Sequence, residues 1–70
     1  MTYDYSMLKE RITDRFGSAA AFANEIGISE RDVSRKLNNE CSWKQSEIEK
    51  AADALDIWEP YIQRYFFSVV

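Results

Sequence analysis

Residues Ser18–Asn38 read SAAAFANEIGISERDVSRKLN, and the spacing within this stretch predicts two short amphipathic helices crossing at a glycine turn. Ala23 is small enough to let a second helix approach. Gly27 follows Ile26, where a chain leaving a helix often turns left-handed, a conformation glycine enters without strain. Ile28 supplies an apolar plug for the turn. Ser29 followed by Asp32 resembles a capping box and predicts a new helix over about 29–37. Val33 and Leu37 form its buried stripe, so Glu30, Arg31, Ser34 and Arg35 fall on its outer face. Such a helix, armed with exposed cations, fits a DNA major groove.

The rest of the chain reads as further helix. Asp4 is the expected N-cap of a first helix running to about Arg15, with Tyr5, Leu8, Ile12 and Phe16 along one face. Lys9, Arg11 and Arg15 are expected to be ordinary solvated charges. Gly17 breaks this helix and Ser18 caps the next, whose inward residues are Phe22, Ala23 and Ile26. A polar loop spans Asn38 to Ser42, its paired asparagines suiting a helix end. Ser42 with Gln45 repeats the capping pattern, Trp43 is expected to cover the core, and Ile48, Ala51, Ala52 and Leu55 form the next buried stripe. Pro60 suits the first turn of a short fifth helix. The expectation is an all-α, compact bundle of four to five helices, forming a single helix-turn-helix domain over 1–70. Its hydrophobic C-terminal segment, 57–70, holds more large side chains than a small core readily hides. Trp58, Tyr61, Tyr65, Phe66 and Phe67 are therefore expected at a homodimer interface, which would set two reading helices about 34 Å apart.

Composition limits the function. A chain of 70 residues buries only about 60% of its unfolded surface, which makes dimerisation helpful. The single cysteine, Cys41, excludes an internal disulfide, and the absence of histidine removes the commonest metal ligand and general base. With no glycine-rich phosphate loop and no base near Cys41, neither enzyme activity nor a cofactor nor a metal is expected. No apolar run reaches the roughly 18 residues of a membrane span, and a cytoplasmic protein is expected. The net charge of −3 counts against DNA, whose affinity comes largely from phosphate neutralisation. The acidity is concentrated after Gln45, where Glu47, Glu49, Asp53, Asp56 and Glu59 outnumber Lys50 and Arg64. That third of the chain can point away from a duplex.

On this reading Arg31 and Arg35, one above the other on the helix, are candidates for guanine, Glu30 for a cytosine amino group and Ser34 for a base edge. Ser29, Lys36, Lys44 and Gln45 are candidate phosphate contacts, the last two through a helix N-terminus that favours anions.

These residues resemble the helix-turn-helix of lambda-type phage Cro and repressor proteins, and the chain resembles a small family of Cro-like phage regulators. The likeness rests on FGSAAAFANEIGISERDVSRKLNN, SWKQSEIEKAADALDI and the aromatic YFF near the end. It implies a lambda-repressor-like fold, a homodimer on double-stranded operator DNA, and phosphate contacts from Asn38 and Asn39 at the end of the reading helix. Ala19 and Ala20 depart from the superfamily, which often carries a phosphate-touching glutamine there. The expected function is a sequence-specific transcriptional regulator acting as a repressor. The alternative is a protein-interaction module, antirepressor or antitoxin-like, that keeps the scaffold and holds another protein through its aromatic C-terminal surface. Net acidity and the missing glutamine favour the alternative. Basic potential gathered around Arg31 and Arg35 would support the first reading, and a neutral face there with an apolar C-terminal groove the second.

Overall fold

The computed structural model describes residues 2–69 and contains five helices: α1 (Ser6–Phe16), α2 (Ala19–Ile26), α3 (Glu30–Leu37), α4 (Gln45–Ala54) and α5 (Glu59–Phe66). The all-helical bundle follows the expected class, and the predicted helix-turn-helix is α2 and α3. Ser18 Oγ accepts from the Ala21 N–H at 3.2 Å and Ser29 Oγ from the Asp32 N–H at 3.1 Å, satisfying free donors at both helix starts. Gly27, at φ 80°, ends α2 in the left-handed conformation; its N–H and that of Ile28 both donate to the Ala23 carbonyl.

Two boundaries shift from expectation for local reasons. α1 begins at Ser6, where the Asp4 carboxylate accepts from both the Ser6 N–H and its hydroxyl, so Asp4 caps from one residue further out. Those bonds hold the Asp4 carboxyl below its ordinary value. α4 begins at Gln45 without Ser42 as its cap. Glu47 Oε1 instead accepts from the Lys44 N–H at 2.8 Å.

Phe22, Phe66, Leu8, Leu55 and Val33 are the largest fully buried side chains, with Ala23 closing the approach of neighbouring helices. Phe16 packs against Phe22 at 5.6 Å between ring centroids. Arg11 departs from its expected solvated role. Its Nε donates to the Leu55 carbonyl at 2.9 Å and a second guanidinium nitrogen to the Asp56 carbonyl at 3.2 Å, closing the end of α4. Arg15 adds an exposed ion pair with Asp56 at 2.8 Å. The chain ends meet in an isolated antiparallel bridge between Tyr3 and Val69, and the Asp4 N–H donates to the Ser68 carbonyl at 2.7 Å.

The C-terminal aromatic set divides. Phe66, expected at a dimer interface, is 1% exposed and belongs to the core, because the inward face of α5 carries it beneath Trp43, with ring centroids 5.3 Å apart and planes nearly perpendicular. Tyr65 packs partly against the core, whereas Trp58, Tyr61 and Phe67 remain exposed.

Phe66→Ala should lower the unfolding free energy by about 3–5 kcal/mol in urea denaturation. Trp58→Ala, at a position 74% exposed, should change it by less than about 0.5 kcal/mol. Comparable losses from the two would contradict this division.

Candidate functional site

The outer face of α3 carries Glu30, Arg31, Ser34 and Arg35 exposed, as the helical period requires. The surrounding phosphate candidates do not join them. Lys36 is only 7% exposed: with Val33 and Leu37 it lies on the inward side of α3. Its ammonium sits 3.1 Å from Glu47 Oε1, donates to the Ser42 carbonyl at 3.1 Å, and lies 5.9 Å from the Trp43 ring centroid. Ser29 spends its hydroxyl on the α3 cap. Asn39 spends its whole amide on Tyr3, accepting from the Tyr3 N–H and donating to the Tyr3 carbonyl, each at 2.9 Å. Asn38 is exposed at the end of α3, and the Lys44 side chain is exposed while its backbone N–H is taken by Glu47. Gln45 lines a different surface, described below.

With Lys36 neutralised by Glu47, the exposed cations of this region, Arg31, Arg35 and Lys44, are matched by the exposed anions Glu30, Asp32 and Glu40. The exposed charges of residues 30–44 therefore cancel, leaving only the single excess positive charge of Arg31 and Arg35 over Glu30 on the outer face of α3, a weak field for a polyanion.

A second surface has a distinct character. Between α4 and α5 runs an open groove of about 1140 Å³. Trp43, Ile48, Ala52, Ile57, Ile62 and Phe67 form its apolar lining; Gln45, Glu49, Asp53, Glu59 and Gln63 supply the polar part. Helical period builds both sides. Gln45, Glu49 and Asp53 recur every four residues along α4, and Glu59, Gln63 and Phe67 do so from α5 into its C-cap. Among the described residues no lysine or arginine lines the groove. Trp43 Nε1 is buried without a hydrogen-bond partner among the described residues. On the other side of α5, Trp58, Tyr61 and Tyr65 surround Arg11, and the Arg64 guanidinium lies 5.7 Å from the Tyr61 ring centroid. Only Phe67 of the expected interface residues lines the groove.

The sequence did not single out Glu49, Asp53 and Glu59 as site residues. Their signal was the shared period of acidic and apolar positions, which looked like an ordinary solvated helix edge beside a core stripe.

Burial acts to raise the pKa of Glu47, but the Lys44 N–H and then the Lys36 ammonium outweigh it, leaving the carboxyl below its ordinary value of 4.5. Carboxylates depressed in the folded state stabilise fully above their unfolded pKa, and that contribution disappears as pH falls through the folded value. Glu47→Gln should therefore lower Tm at neutral pH, with a smaller further loss than the native protein shows on acidification through the carboxylate range. Parallel Tm profiles for the two would contradict the pairing.

The chain belongs to the family described as a protein of unknown function (DUF739), which it matches over residues 1–69. It is also similar to the modulator of repression (MOR) of the temperate bacteriophage TP901-1 from Lactococcus lactis, a solution structure. The two are 46% identical, the match covers 96% of this chain and 90% of that one, and the TM-score is 0.82. Among curated proteins none matches. These findings overturn the Cro and repressor assignment, and with it the reading of the chain as an operator-binding repressor. The relative is named for modulating repression, and the phage context alone is kept. No helix among the described residues is long and apolar enough to cross a membrane.

Proposed function

We propose that this protein is a phage-type protein-interaction module that modulates repression by holding a second regulatory protein in the groove between α4 and α5. The observation that carries the reading is the pairing of an apolar groove that has acidic residues and no basic ones along it with a segment, 30–44, whose exposed charges cancel. The likeness to a modulator of repression supports it.

The chemistry of the groove defines what fits. Ile48, Ala52, Ile62 and Phe67 offer a surface for the apolar face of a helix, and Glu49, Asp53 and Glu59 offer charge to lysines and arginines beside that face. Aromatic anchors at such a site carry much of the binding energy, while the acidic residues speed encounter and select the partner. A DNA-binding repressor presents a basic segment, because its reading surface must neutralise phosphates. Occupying that segment would take the repressor from its operator. α3 is then scaffold: Val33 packs the core and Lys36 ties the following loop.

The test is a titration of the DNA-binding repressor encoded in the same phage or prophage genome, followed by anisotropy. Glu49→Lys combined with Asp53→Lys should weaken binding by about a hundredfold, or about 2.7 kcal/mol. Arg31→Ala combined with Arg35→Ala should leave the affinity within about twofold, since truncations outside an interface change little. The reverse pattern, or no binding by the native protein, would overturn the proposal.

A further inference from the structure

We infer that Asn39 and Tyr3 are positioning residues for the groove, acting through Phe67; the inference rests on the groove as the docking site. Neither residue lines the groove itself. Asn39 lies in the loop after α3 at φ 64°, a left-handed conformation that asparagine tolerates better than most residues. Its side-chain amide carries both a donor and an acceptor, and both are used on one residue 36 positions away. The Tyr3 N–H donates to Oδ1 and Nδ2 donates to the Tyr3 carbonyl, each at 2.9 Å. The side chain thus plays the part of a neighbouring strand, holding the N-terminal arm by its backbone.

The arm in turn holds the end of the chain. Tyr3 bridges Val69, and the Asp4 N–H donates to the Ser68 carbonyl at 2.7 Å. The Tyr3 ring meets the Phe67 ring edge-on at 6.0 Å between centroids. α5 fixes the Phe67 backbone, whose N–H donates to the Gln63 carbonyl at 2.9 Å. Phe67 is 45% exposed, so the direction of its ring depends on the neighbours that bound it, and Tyr3 is the one whose ring meets it from outside the groove. Releasing the arm frees the ring to leave the groove wall while the core stays folded.

Asn39→Gly removes the amide and accepts the positive φ, so it tests the clasp without backbone strain. Tyr3→Ala keeps both backbone bonds to Asn39 and removes only the ring. The experiment combines amide hydrogen exchange and aromatic NMR of the free protein with affinity for the repressor encoded in the same genome. In Asn39→Gly, the Asp4 amide should lose protection and the Phe67 ring its Overhauser contact with Tyr3, while Leu8, Phe22 and Val33 signals stay in place. In both variants the groove-side Ile62 signals should move with the Phe67 ring and affinity should fall about tenfold. Unmoved Phe67 and Ile62 signals would overturn the inference, as would a displaced Phe67 with unchanged affinity. Failure of the native protein to bind the repressor would overturn the groove reading, leaving the free-protein spectra to decide whether the clasp sets Phe67.

Discussion

A lysine turned inward ties together the elements that border the α4–α5 groove. Lys36 leaves α3 toward the core and meets Glu47 of α4, the Ser42 carbonyl of the intervening loop and the face of Trp43. One ammonium thereby joins two helices and the segment between them. Buried ion pairs are weak evidence for stability, since desolvation offsets much of the attraction, but losing one partner strands the other charge. In this protein the pair's clearest effect is geometric. It holds Glu47 Oε1, which also accepts the Lys44 N–H at the start of α4, close to Trp43, whose ring meets Phe66 edge-on at the wall of the α4–α5 groove.

The same pairing changes the electrostatics of the opposite surface. A solvated Lys36 would have tilted residues 30–44 toward positive charge; paired with Glu47, it leaves the exposed charges of that segment balanced. Meanwhile Glu49 and Asp53, on the next turns of α4, stay exposed along an apolar channel and form no ion pair among the described residues. The helix-turn-helix scaffold is thus kept while the acidic charge lies along the α4–α5 groove, the distribution on which the proposed basic partner rests. Helix-turn-helix geometry describes how α2 and α3 pack; function follows from which surface carries the unanswered charge and the uncovered apolar area.

Much of the scaffold was legible because it is local. The left-handed glycine between α2 and α3, the serine caps of both helices, and the Val33 position follow from neighbouring residues and the helical period. Three features were not legible because distant partners decide them. Lysine at position 36 reads as a solvent charge until Glu47 and a loop carbonyl are beside it. Asn39 reads as a helix end, yet its amide is used by Tyr3. Adjacent Phe66 and Phe67 look alike in sequence, but the inward face of α5 buries one and leaves the other at the groove. The resemblance to Cro-like regulators followed the local pattern and therefore carried the fold and missed the function; net acidity and the alanines at positions 19 and 20 were the residues that already pointed elsewhere.

The most direct test of the groove as the working surface is chemical-shift mapping of isotope-labelled protein against the unlabelled repressor of the same genome. Perturbations concentrated on Glu49, Ala52, Asp53, Ile62 and Phe67, with Arg31 and Arg35 undisturbed, are the predicted result. Perturbations concentrated on Glu30 to Arg35, with α4 and α5 silent, would contradict it.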